Sequence, residues 1–227
     1  MTSSTSPARS DRRQLRLVGA AVDKRLRELQ SGYRNDRADV VADVARIRRG
    51  AGRSVADAPE LWGVTGLELL YSAGQGARTA AEAENAFHSA VTLWALHQQG
   101  HREQGMHLPF GPELGHSIRQ LMPNNDIDEP IRKRFVRLGT ASSFDLLTQR
   151  LRELVLLFRR DAIPLDYAVL ADQLVQWQQP GGRGSVHSSW GHSFHAYRPP
   201  ATAAADDRSS DSVAPDLPSA TDKDANS

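Results

Sequence analysis

The stretch SFDLLTQRLRELVLLFRRDAIPLDYAVLADQLVQW, Ser143 to Trp177, decides the fold. Phe144, Leu147, Leu151, Leu154, Val155 and Phe158 recur at spacings of three and four, which stacks them along one face of a helix. Ser143 stands where an N-cap oxygen is wanted. Pro164 is expected to open a second helix, whose inner face would carry Tyr167, Leu170, Leu174 and Trp177. Asp166 belongs in its first turn, where a carboxylate meets free N–H groups and the positive end of the helix dipole.

The same period runs outward from this pair. Ile131, Phe135 and Leu138 form a stripe just upstream. Leu15, Val18, Val22, Leu26 and Leu29 mark a first helix ending near Gly32, and Val40, Val44 and Ile47 mark a second that stops at Gly50. Residues 57–72 read as a turn followed by a short helix. A long, mostly apolar helix is expected over 79–99, and a shorter one over 113–121 after the break at Pro109, Gly111 and Pro112. No segment alternates with period two for long enough to be a strand. The expected class is all-α, a bundle of about eight or nine helices. The expected organisation is a disordered tail over 1–10, an N-terminal helical part over 11–124, a C-terminal helical part over 125–198, and a disordered acidic Pro/Ala/Ser/Asp tail over 199–227.

The chain has 227 residues and no cysteine. Disulfides, thiolate zinc sites, iron–sulfur clusters and thiol catalysis are therefore excluded. No run of about 18 apolar residues is present, so the expectation is a cytoplasmic protein with no membrane partner. The net charge of +1 conceals an uneven distribution. Residues 1–53 carry 13 basic against 6 acidic side chains, 54–117 carry 2 against 7, and 118–160 carry 9 against 5. The tail, 199–227, carries 2 against 6, so the body without it stands at +5.

Few patterns suggest chemistry. GGRGS at 181–185 lacks the spacing and the lysine of a phosphate loop, and no GxSxG or HExxH is present. His97 and His101 are four apart, but Gly100 between them reads as a helix stop, which makes them a pair of exposed polar residues rather than zinc ligands. His192 and His195 share a helix face that His187 does not, and no carboxylate stands near to orient them. No metal and no cofactor are expected. The basic residues are more informative. Lys133 and Arg137 lie opposite the apolar stripe of their helix with Arg132 and Arg134 flanking, and Arg46 and Arg49 point away from Val40, Val44 and Ile47 with Arg48 at the edge. Two such faces suit a phosphate backbone, although a solvated helix face would look the same.

A resemblance emerges from the order of short motifs: ARIRRG at 45–50, PELWG at 59–63, LGHSIRQL at 114–121, RKRFVRL at 132–138, LTQRLRELV at 147–155, IPLDYAVLADQLVQW at 163–177, and Trp-Gly-x-x-Phe at 190–194. Together they resemble the CasB family, the small subunit of the type I-E CRISPR surveillance complex Cascade, from about Leu15 to Tyr197. The resemblance implies a non-catalytic, all-helical subunit. Its partners would be the other Cascade subunits, a second copy arranged head to tail, CRISPR RNA and target DNA, and it would help hold that DNA open as an R-loop. Base pairing would read the sequence, leaving the protein to contact backbone and shape. It also implies nucleic-acid contacts at Arg48, Arg49, Lys133, Arg134 and Arg152, and, less directly, at Arg119 and Arg137, which face outward by helical spacing. His116, Glu153, and the His187, Ser188 and His192 of the last motif stand where relatives often carry stronger bases, so contacts there would be weaker or pH-sensitive. Trp62, Trp94, Trp177, Trp190 and Phe194 are expected in the core.

Two other classes fit parts of the pattern. A stand-alone DNA-binding regulator would read Ile131–Phe158 as a helix–turn–helix, but its second helix is apolar over too much of its surface to lie in a groove. A small metalloprotein would rest on the histidine clusters.

Overall fold

The computed structural model describes residues 14–72, 80–123 and 126–198. Both expected tails, 1–10 and 199–227, lie outside the described residues. The described chain holds nine α-helices: α1 Leu17–Arg34, α2 Ala38–Ile47, α3 Glu68–Ser72, α4 Ala80–Gln98, α5 Leu114–Gln120, α6 Glu129–Gly139, α7 Phe144–Arg160, α8 Tyr167–Gln178 and α9 Gly182–His195. Short 3-10 turns occupy Arg48–Gly50 and Pro59–Leu61. Among the described residues there is no strand, only an isolated bridge between His107 and Leu165.

The all-α reading therefore holds, and the helix positions follow its periodicity. α4 is the axle: Ala86, Phe87, Ala90, Val91, Leu93, Trp94 and Ala95 are fully buried, and α1, α2, α7 and α8 pack around it. A helix apolar on every side belongs at such a centre. The α7 stripe faces it through Leu147, Leu151, Leu154, Val155 and Phe158, all buried.

Caps fix where helices begin. The Ser143 oxygen accepts from the Leu146 N–H at 3.2 Å, and Asp128 accepts from Ile131 at 2.9 Å. Asp166 accepts from Ala168 and Val169 at 3.0 and 3.2 Å, so α8 starts at Tyr167, three residues after Pro164. Pro164 does not open it because Leu165 is extended: its N–H bonds the Met106 carbonyl at 3.1 Å and its carbonyl accepts from Leu108 at 3.2 Å. α1 has no local side-chain cap. Instead Asp172, on α8, accepts the backbone N–H groups of Arg16 and Gly19 at 2.7 Å each. α1 also runs past Gly32, because that glycine is a point of close helix approach and not a stop: a Cβ there would stand 2.7 Å from Val40 Cγ2 on α2.

Two expectations about side chains are overturned. Trp62 is 62% exposed, whereas Trp94, Trp177, Trp190 and Phe194 are buried as expected. The Pro59–Leu61 turn sends Leu61 inward, and the next residue has to point out. His97 is not an exposed polar residue. It is fully buried, its Nδ1 3.0 Å from the Tyr167 hydroxyl, and burial followed by the field of His101 lowers its pKa to about 3. Gly100 does stop α4, with a φ of 89°.

Candidate nucleic-acid interface

Residues 48–50 turn at the end of α2, where Arg49 is exposed and Arg48 half-buried. The Arg48 Nε donates to the Ala45 carbonyl at 3.4 Å. The chain then runs beneath α7. A Cβ at Gly52 would lie 3.0 Å from Arg152 Cδ and 3.8 Å from Gln149 Cα. The aliphatic stem of Arg152, a hundred residues further on, therefore packs over Gly52, three residues past Arg49. Neither Arg49 nor Arg152 makes a side-chain hydrogen bond or ion pair among the described residues, so both guanidinium groups are available.

A second basic face lies on α6. Ile131 and Leu138 are buried, while Arg132, Lys133, Arg134 and Arg137 are exposed. Arg132 is committed to its own helix: it makes a two-pronged bond to Glu129 at 2.6 and 2.8 Å, which holds that carboxyl below its usual range. Lys133 reaches the same carboxylate only at 4.0 Å and its side chain is 70% exposed. Arg134 donates to the Pro130 carbonyl at 3.3 Å. Exposed pairs of this kind contribute little, so Lys133, Arg134 and Arg137 can exchange them for phosphate at small cost.

Arg119 does not belong to either face. It is 9% exposed, donates to the Asp126 carbonyl at 3.0 Å and lies 5.9 Å over the Phe194 ring. The wheel of a seven-residue helix puts it outward, but α9 and the 126–128 segment close over that side. It ties those segments to α5.

Two cations near these faces carry no signal in the sequence. Arg150 donates to the Arg137 carbonyl at the end of α6, and Arg183 on α9 stacks 4.2 Å over Trp177 while donating to the Ser142 carbonyl at 3.2 Å. Arg150 thereby borders the α6 face. Spacing along the chain does not reveal them, because their partners lie on other helices.

The histidines of the last helix separate. His187 is half-buried against Trp190, its Nε2 without a hydrogen-bond partner, and burial followed by Arg183 lowers its pKa. His192 and His195 are exposed or nearly so. His116 is half-buried beside Tyr197, with ring centres 4.9 Å apart, and burial lowers its pKa. Among the described residues no group of three or more His, Asp or Glu is gathered that could hold a metal ion. No described helix is long and apolar enough to cross a membrane.

The sequence profile of the CRISPR-associated protein Cse2 matches residues 43–195. The chain belongs to the Cse2 family. The structure is similar to that of CasB from Thermobifida fusca, at 48% identity and a TM-score of 0.74, over 81% of this chain and 100% of that one. A chain of a CRISPR RNA-guided surveillance complex shares the fold, at 19% identity and a TM-score of 0.58, over 78% of this chain and 95% of that one. No curated protein sequence matches. The Cse2 match spans both basic faces and the helices that carry them.

Proposed function

We propose that this Cse2-family chain is a non-catalytic subunit of a type I-E Cascade ribonucleoprotein in the cytoplasm, and that it helps hold target DNA opened as an R-loop. Its contacts would be made by Arg48, Arg49 and Arg152 on one edge and by Lys133, Arg134 and Arg137 on the α6 face. Its partners would be the other Cascade subunits, a second copy placed head to tail, CRISPR RNA and target DNA. The supporting observation is the packing of Arg152 over Gly52, three residues past Arg49, with Arg49 and Arg152 both exposed and without a side-chain hydrogen bond or ion pair among the described residues. Such a surface binds phosphates without reading bases, which suits a complex in which pairing to RNA reads the sequence. The helix–turn–helix alternative is disfavoured because α7 is spent on the core: Leu147, Leu151, Leu154, Val155 and Phe158 are buried, and its outer side carries Glu153 and Leu156.

Replacing Lys133, Arg134 and Arg152 together by Ala tests this in the assembled complex. Retention of target DNA should weaken, and the slope of log affinity against log salt should become shallower by about 1 for each phosphate left without its cation. An unchanged slope would rule the surface out.

A further inference from the structure

Trp62 is held out by its surroundings. Leu61, Trp62, Gly63 and Val64 form a tight turn closed by the Val64 N–H on the Leu61 carbonyl at 3.1 Å. Trp62 has φ −61° and ψ 133° and Gly63 has φ 75°, the geometry of a type II turn, whose third position demands a left-handed residue. Both ends are anchored. Leu61 is buried against Gly50, where an added Cβ would meet Leu61 Cδ1 at 2.5 Å. The carbonyls of Val64 and Thr65 accept from the Arg25 guanidinium at 2.8 and 3.1 Å. The indole is thus presented from a fixed turn and not from a slack loop.

The turn adjoins the basic edge. Leu61 touches Gly50, the residue after Arg49, and Gly52 lies under Arg152. Arg53 is committed locally, 2.6 Å from Glu60 and bonded to the Asp57 carbonyl, so it neutralises the acid nearest the indole in the chain. An exposed aromatic on a turn packed against the segment that carries Arg48 and Arg49 supplies the two elements by which proteins bind single strands: the cations follow the phosphates and a base stacks on the ring. A paired base has no free face to offer, so such a ring favours the single strand.

We propose that Trp62 is a stacking platform for an unpaired base of single-stranded DNA whose phosphates run over Arg48, Arg49 and Arg152. This rests on the reading of that edge given under Proposed function and adds to it a preference for unpaired DNA.

The full chain reports on this by its own fluorescence, because Trp94, Trp177 and Trp190 are at most 2% exposed and Trp62 is the accessible indole. An oligothymidylate should quench the emission, and a duplex of equal length should quench it far less. Trp62→Ala should bind the single strand roughly fivefold to a hundredfold more weakly with an unchanged salt slope, and Trp62→Phe should recover part of the loss. Arg48, Arg49 and Arg152 replaced together by Ala should instead flatten the slope. If the triple variant loses binding while Trp62→Ala binds as the parent does, the stacking role falls and the phosphate edge stands. If neither variant changes binding, both fall. If Trp62→Ala keeps its affinity for the single strand but no longer assembles with larger subunits, the indole is a protein contact and the proposal is overturned.

Discussion

Gly115→Ala is expected to destabilise this protein although it places the best helix former in a helix. Gly115 lies in α5 where that helix crosses α9, and an added Cβ would stand 2.0 Å from the Trp190 carbonyl oxygen, 2.4 Å from Ser193 Oγ and 2.6 Å from the Phe194 nitrogen. Carbon and carbonyl oxygen meet at about 3.3 Å at closest, so the two helices must separate by about 1 Å. Two of the obstacles are backbone and cannot rotate away. Overpacking of this kind costs about 1–3 kcal/mol, and the gain in helix propensity of about 1 kcal/mol recovers only part of a cost at the upper end. Net losses of about 2 kcal/mol would lower Tm by about 4–8 °C in a domain of this size. Gly191→Ala is the control: it sits on α9 in the same helix pair, and nothing lies within 4 Å of its Cβ. That substitution should gain about 0.5–1 kcal/mol. Thermal and urea unfolding of both variants measure the difference. A Gly115→Ala protein as stable as the parent, or two shifts of the same sign, would refute the close approach of α5 and α9.

Arg119→Ala should cost about 1–3 kcal/mol in unfolding free energy, from the exposed Asp126 carbonyl and the uncovered Phe194 ring, while leaving the salt slope of DNA retention unchanged; a flattened slope would return Arg119 to the interface. Stability should also fall as pH drops from 7 to 5. Burial lowers His88 to about 4 and His97 to about 3, against an ordinary 6.5. Below 6.5 the unfolded chain therefore takes up protons that the folded one refuses, at about 2 kcal/mol for each histidine by pH 5. Asp166 and Asp172, raised mainly by burial, act in the opposite sense. Urea midpoints across pH 5–7 give the slope, and His88→Gln should remove about 2 kcal/mol of the loss at pH 5.

The helices are legible because each carries its own record. Ser143 and Asp166 cap where their chemistry says they should, and the α7 stripe is buried from Leu147 to Phe158, with Phe144 half-buried at its start. What escapes the sequence are properties set by neighbours distant along the chain. A helical wheel places Arg119 outward, but only α9 and residue 126 decide that it is covered. It places His97 no better, since Tyr167 on another helix decides its fate. Residue type assigns Trp62 to the core, whereas a glycine-closed turn sets its direction. Of the site, the basic residues and their outward faces can be found from spacing and resemblance. The approach of Arg152 to the segment that follows Arg48 and Arg49 cannot, because it depends on α7 crossing Gly52.

The carboxylate of Asp172 on the first turn of α1 has a consequence for the order of events during synthesis. Helix α1 precedes the other described helices, but among the described residues no local side chain caps its leading N–H groups, and the residue that does so is more than 150 positions downstream. Its first turn is therefore left frayed until α8 arrives, and its final ordering belongs to the closing of the whole bundle. The cap acts as a latch between α1 and α8. A truncation before residue 172 should release the N-terminal turn first, and with it the surface on which α8 rests.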